Sequence, residues 1–123
     1  MNRKIKILLA EDEVLIAHCL KMELELNGYD VCSFVASGEE AVEIAKKEDP
    51  NIILMDIHLS GKMNGIEAAK KIIEHNKIPI IFMTGYNEKA IYECAQKVNP
   101  VAYLEKPIEI FEIQPIIDSV FEK

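Results

Sequence analysis

The sequence predicts an α/β domain, a doubly wound and mainly parallel sheet flanked by helices. Apolar runs of strand length alternate five times with segments whose apolar residues recur at helical spacing. No linker, low-complexity segment or repeat interrupts that alternation. Polar residues able to do chemistry stand where the apolar runs end, which is where ligands collect in an open parallel sheet.

The run around which the others are arranged is Asn51-Ile52-Ile53-Leu54-Met55-Asp56. Consecutive apolar residues after the turn signal Asp49-Pro50 read as a strand covered on both faces, with one carboxylate at its exit. A strand-end aspartate ordinarily caps the next turn. What stands at the ends of the other strands sets Asp56 apart.

From the N-terminus, residues 4–10 read as the first strand, and Glu11-Asp12-Glu13 ends it with acidic residues suited to a helix start. Ile16, Cys19, Leu20 and Leu24 then fall at helical spacing as one inward stripe, and Asn27-Gly28 stops that helix. Residues 31–35 read as the second strand. Ser37-Gly38-Glu39-Glu40 has the S-x-x-E form of a capping box, opening a helix with Ala41, Val42, Ile44 and Ala45 inward.

After Asp56 comes an irregular segment, and Asn64-Gly65-Ile66-Glu67 can cap a third helix with Ile66, Ala69, Ile72 and Ile73 inward. Pro79 precedes a fourth strand over 80–83, which ends at Thr84-Gly85. Asn87 is a candidate cap for a fourth helix carrying Ile91, Cys94, Ala95 and Val98, broken by Asn99-Pro100. Residues 101–104 read as the fifth strand. Glu105-Lys106-Pro107 and a last helix to about Phe121 follow, with Pro115 inside that helix and an apolar arc wider than a one-sided helix needs.

Composition sets the outer bounds. The 123 residues make one domain, 1–123, with 50% hydrophobic and 28% charged residues, as in an ordinary globule. A net charge of -7 argues against direct nucleic-acid binding and against an anionic membrane surface. Cys19, Cys32 and Cys94 are odd in number and embedded in apolar patterns, so they read as small buried hydrophobes in a reducing, cytoplasmic setting. The apolar stretch near the N-terminus contains Lys6 and ends in three acidic residues, unlike a signal peptide. His18, His58 and His75 lie on different elements and read as surface residues, His58 being of interest because it flanks Asp56.

At the strand ends stand Glu11 and Asp12, then Asp56, Thr84 and Lys106. Clustered carboxylates raise one another's pKa, and a hard divalent cation such as Mg²⁺ resolves the conflict with oxygen ligands. With charge drawn off by metal and by Lys106, Asp56 can serve as a nucleophile toward phosphorus, giving an acyl phosphate. Thr84 is placed to hydrogen-bond the arriving phosphoryl group. Phosphoryl transfer of this kind is mostly positioning and charge neutralisation.

These residues resemble the response-regulator receiver domain of two-component signalling, over essentially the whole chain. The motifs that carry the resemblance are Leu8-Leu9-Ala10-Glu11-Asp12-Glu13, Ile53-Leu54-Met55-Asp56, Met63-Asn64-Gly65, Met83-Thr84-Gly85 and Tyr103-Leu104-Glu105-Lys106-Pro107. Each alone is weak; five in order at strand ends are specific. The resemblance implies a five-stranded flavodoxin-like sheet of order 2-1-3-4-5 with five helices. It implies that Asp56 accepts a phosphoryl group from a sensor histidine kinase or phosphotransfer protein. Mg²⁺ would lie among Glu11, Asp12, Asp56 and the backbone carbonyl of His58. Lys106 would be the ion-pair partner, Thr84 and Tyr103 the switch pair, and Lys106-Pro107 a cis peptide.

Such a domain is a signalling switch rather than an enzyme, although it promotes its own phosphorylation and dephosphorylation. Its partner surface would be the fourth helix, fifth strand and fifth helix, with a homodimer as one use and a kink expected at Pro115. His58 and Tyr86 would flank the phosphoryl group and slow its loss. The sequence departs from the family between Asp56 and Gly65, where the usual proline is missing and the loop is one residue longer.

Rival readings fare worse. A flavodoxin needs a phosphate-binding loop after the first strand, where Glu11-Asp12-Glu13 would repel the phosphate. An aspartyl phosphatase usually places D-x-D there, against adjacent Glu11-Asp12 here. A scaffold that is never phosphorylated would have no need of the complete acceptor set.

Overall fold

The computed structural model describes residues 4–85 and 88–122. Strands β1 (Lys6–Ala10), β2 (Asp30–Val35), β3 (Ile52–Asp56), β4 (Ile80–Thr84) and β5 (Ala102–Glu105) alternate with helices α1 (Val14–Leu26), α2 (Gly38–Glu48), α3 (Gly65–His75), α4 (Lys89–Gln96) and α5 (Ile110–Phe121). All neighbouring strands are parallel, in the order β2-β1-β3-β4-β5. The doubly wound sheet and its order are those expected.

Strand alternation divides the core into two layers. Leu8, Ile53, Met55 and Phe82 face α2, α3 and α4, packing with Ala41, Ala45, Ile66, Ala69, Ile72 and Ala95. Ile7, Leu9, Ile52, Leu54, Ile81 and Met83 face α1 and α5, packing with Ala17, Leu20, Leu24, Ile113 and Ile117. The apolar residues of β3 are wholly buried, as a central parallel strand covered on both faces requires. Asp56 stands in register with Met83 of β4, and Thr84 with Glu105 of β5, so the polar strand ends lie side by side.

The helix starts are built by the residues that signal them. Ser37 accepts from the Glu40 N–H at 3.1 Å, while the Glu40 carboxylate reaches the Ala36 N–H. Asn64 and Glu67 close a reciprocal capping box on α3, both bonds at 2.9 Å. Glu109 and Glu112 form a second box on α5, which the sequence reading did not anticipate. α4 begins after Glu88; the expected cap Asn87 lies outside the described residues.

Two expectations need correction. α1 turns Ala17, Leu20 and Leu24 inward and leaves Ile16 and Cys19 exposed, because Ala17 rather than Ile16 completes the stripe against the sheet. The cysteines are not core hydrophobes: Cys19 and Cys94 are exposed and Cys32 is half-buried. α5 includes Pro115 among its helical residues. Pro115 faces solvent, and so does Phe111, whose carbonyl loses its helical donor to the proline. The apolar arc of α5 is divided: Ile113 and Ile117 are buried, Phe111 and Phe121 exposed.

Candidate functional site

Each site residue is delivered by the end of a strand. The chain leaves β1 at Ala10, and the Glu11 N–H continues the sheet by donating to the Val35 carbonyl at 2.9 Å. Glu11 is thereby held inside, 1% exposed, while the next residue, Asp12, faces solvent. Glu11 Oε2 accepts from the Glu13 N–H at 3.1 Å, which fixes its carboxylate at the start of α1. Asp56 is the last residue of β3 and is 3% exposed. Its Oδ1 accepts from the His58 N–H at 3.1 Å, a local turn that aims the carboxylate out of the sheet end.

Thr84 closes β4 fully buried. Its carbonyl accepts from the Lys106 N–H at 2.8 Å, so the exit of β5 is tied to the exit of β4. The Lys106-Pro107 peptide is cis, as the resemblance implied. From there the Lys106 ammonium reaches back across the crevice to Asp56 Oδ2 and Glu11 Oε1, 2.6 Å from each.

One ammonium thus serves two buried carboxylates. The Asp56 carboxyl is pushed up to about 6, first by burial and then by the Glu11 charge, against the opposing pull of Lys106. Burial alone would lower Lys106, but its bonds to Asp56 and Glu11 outweigh that and raise it. Carboxylate oxygens of Glu11, Asp12 and Asp56 lie within 4.8 Å of one another. Asp12 and Asp56 open, with Glu13, His58, Gly85 and Lys106, on a cavity of about 500 Å³. Three hard oxygen donors, an excess of negative charge and an open mouth fit a hydrated divalent cation such as Mg²⁺.

Tyr103 lies on β5 with its ring edge-on to Tyr92 of α4, centroids 5.0 Å apart. Its hydroxyl is buried near the Thr84 side chain, yet makes no well-formed hydrogen bond among the described residues. The residues expected at the site are therefore gathered at one end of the sheet, Tyr103 one strand aside. His18 and His75 lie elsewhere on the surface, on α1 and α3. Tyr86 lies outside the described residues.

The sequence marks the loop after Asp56 as irregular but does not show how it is held. The Gly65 N–H closes it on the Ile57 carbonyl at 2.8 Å, and a Cβ at Gly65 would overlap the Asp56 backbone carbonyl. The glycine could have been read as a close approach; the fastening of residues 60–63 to α2 could not.

Comparison with known proteins agrees with this architecture. The response regulator receiver domain family matches residues 7–118. The transcriptional regulatory protein PdtaR of Mycobacterium tuberculosis is 34% identical over 92% of the chain, and YdfI of Bacillus subtilis is 38% identical over 82%. The chain spans about half of these relatives, 55% and 47% respectively. Among solved structures, the signal receiver domain of a modulated diguanylate cyclase from Desulfovibrio desulfuricans G20 superimposes with a TM-score of 0.90 at 36% identity, over 95% of this chain and 93% of that one. The chain belongs to the response-regulator receiver domain family.

Proposed function

We propose that the domain is a phosphorylation-activated signalling switch in which Asp56 is the phosphoacceptor. The observation that carries this is the gathering of Asp56, Glu11 and Asp12 within 4.8 Å of one another at the edge of a cavity, with Lys106 as the counter-ion shared by Asp56 and Glu11. Asp56 Oδ attacks the phosphorus of a phosphohistidine on a sensor kinase or phosphotransfer protein. The P–O bond forms as the P–N bond breaks, and the donor imidazole leaves with its electron pair, to be protonated from solvent. Glu11, Asp12, Asp56 and the backbone carbonyl of His58 would hold Mg²⁺, whose chemistry is to neutralise the phosphoryl oxygens and keep Asp56 ionised.

Lys106 supplies the second positive charge. Its ammonium contacts Asp56 Oδ2 before transfer and can pass to a phosphoryl oxygen afterwards. The Thr84 hydroxyl completes the set as a donor to the acyl phosphate. The output is a change of the α4–β5–α5 face read by a protein partner, in a cytoplasmic setting. No helix among the described residues is long and apolar enough to cross a membrane.

Intact mass after treatment with acetyl phosphate tests the reading, with and without Mg²⁺. Wild type should gain one phosphoryl group only with the metal, and Asp56→Asn none. Asp12→Ala should lose the metal dependence together with the adduct. An adduct that survives in Asp56→Asn would sink the assignment.

A further inference from the structure

The loop between β3 and α3 carries no proline to stiffen it and includes Gly61 at φ +88. It is nonetheless fastened along one side to the first turn of α2. The Ser60 N–H and hydroxyl both donate to the Ala36 carbonyl, at 3.1 and 2.8 Å, and Ser37 and Ser60 pair as an isolated parallel bridge. The Glu39 carboxylate accepts the Lys62 N–H at 3.0 Å, with the Met63 N–H close to it. A Cβ at Gly38 would come within 2.6 Å of the Met63 carbonyl, and one at Gly61 within 2.6 Å of Glu39 Oε1. Helix turn and loop are in backbone contact, with one carboxylate holding a loop amide.

The same β2–α2 turn holds the opposite rim of the acid pocket. The Val35 carbonyl accepts the Glu11 N–H, and the adjacent Ala36 carbonyl accepts Ser60. The loop that leaves the segment Asp56–His58 is thus tied, through Ala36 and Glu39, to the turn whose Val35 carbonyl holds Glu11. The Glu39–Lys62 bond lies at the exposed surface and acts together with the Ser60 bonds to the Ala36 carbonyl.

We infer that Glu39 is a positioning residue for the acid pocket: it clamps the loop that carries His58 and so sets how tightly the pocket takes a divalent cation. The inference rests on the proposed reading of Glu11, Asp12 and Asp56 as cation ligands. Glu39 itself touches neither cation nor phosphoryl group. Loss of the clamp loosens the loop side of the pocket, which weakens cation binding and leaves the acceptor chemistry intact once the pocket is filled.

The test compares wild type, Glu39→Ala, Glu39→Gln and Gly61→Ala. Three readouts are taken: amide hydrogen exchange at Lys62 and Met63, Mg²⁺ titration followed by amide chemical shifts, and acetyl phosphate labelling across Mg²⁺ concentrations. Glu39→Ala should speed exchange at both amides and raise the Mg²⁺ half-saturation about three- to tenfold, less than removal of a group bonded directly to a metal ligand. Its labelling rate at saturating Mg²⁺ should stay within about twofold of wild type, a split that general loss of structure would not give. Glu39→Gln, which keeps an acceptor oxygen, should fall between. Gly61→Ala, which strains the loop from the other side, should resemble Glu39→Ala.

Faster exchange with unchanged Mg²⁺ half-saturation would overturn the inference, and so would unchanged exchange. Failure of wild type to respond to Mg²⁺ at all would instead overturn the reading of the pocket, and the clamp's role with it.

Discussion

Asp56 is a carboxylate folded where a carboxylate is poorly solvated, next to a second buried carboxylate and with half a share in one ammonium. Its folded pKa, raised from 3.8 to about 6, means the folded state holds this proton more tightly than the unfolded chain. The contribution is therefore fully present below the unfolded value and is lost as pH rises through about 6. At neutral pH without metal the site opposes folding, by a ceiling of about 3 kcal/mol. Asp56→Asn should then raise the urea midpoint of the metal-free protein at pH 7.5, and the gain should vanish near pH 4; Glu11 still pairs with Lys106 in that variant. Mg²⁺ should stabilise wild type and leave Asp56→Asn almost unaffected. Equal midpoints at pH 7.5 would show that Asp56 is not under this tension. Gly65 is the other exacting residue. Because a Cβ there would overlap the Asp56 carbonyl, Gly65→Ala should cost about 1–3 kcal/mol and slow labelling by displacing the acceptor, as melting and acetyl phosphate rates would show.

α1 shows what a pattern can and cannot reveal at the scale of an element. Ile16, Cys19, Leu20 and Leu24 are helically spaced, but so are Ala17, Leu20 and Leu24, and the small alanine lets the helix lie close to the sheet. An alanine carries little hydrophobic signal, so the pattern favours Ile16 and Cys19 over Ala17, while Leu20 and Leu24 belong to both stripes. The strands were legible because their apolar runs are contiguous, and the strand-end residues were legible because position there is fixed by where the run stops. The fastening of the β3–α3 loop was not, since it depends on backbone groups that every residue has. The rotation of α1 leaves Val14, Leu15, Ile16, Met22 and Leu26 exposed. Leu15, Ile16 and Cys19, with Pro107 and Ile108, line a groove of about 510 Å³ that runs up to Glu11 and Lys106. A protein that presents a phosphohistidine to Asp56 must rest against the rim of the site, and this is its apolar rim. Leu15→Glu should slow phosphotransfer from a protein donor tenfold or more, on the order of a lost apolar anchor. Labelling by acetyl phosphate, which needs no docking surface, should be unchanged. Equal slowing with both donors would place the effect in the pocket rather than the groove.

Across the whole molecule, the two layers of core lock the sheet from both sides, so an event at the strand ends cannot be relayed by deforming the middle of the strands. The freedom lies at the edge. The Lys106 N–H joins β5 to the Thr84 carbonyl, and Tyr103 on β5 leans edge-on against Tyr92 of α4. Between them the Tyr103 hydroxyl is buried without a well-formed hydrogen bond among the described residues, a cost that a small rearrangement can remove. In the proposed reading, a phosphoryl group of charge about -2 at Asp56 would draw the Thr84 hydroxyl toward it and change what surrounds the Tyr103 ring. A ligand shifts an equilibrium only by its differential affinity for the two states, and the bond from Thr84 would provide that difference. Thr84→Ala should therefore still accept a phosphoryl group at Asp56 but lose most of the phosphorylation-dependent amide shifts at Tyr92 and Tyr103. Tyr103→Ala should keep the shifts near Thr84 and lose those on α4, because the ring is the contact that crosses from β5 to the helix. If phosphorylated Thr84→Ala shifts α4 as wild type does, the signal leaves the site by another route, and the Thr84–Tyr103 coupling is wrong.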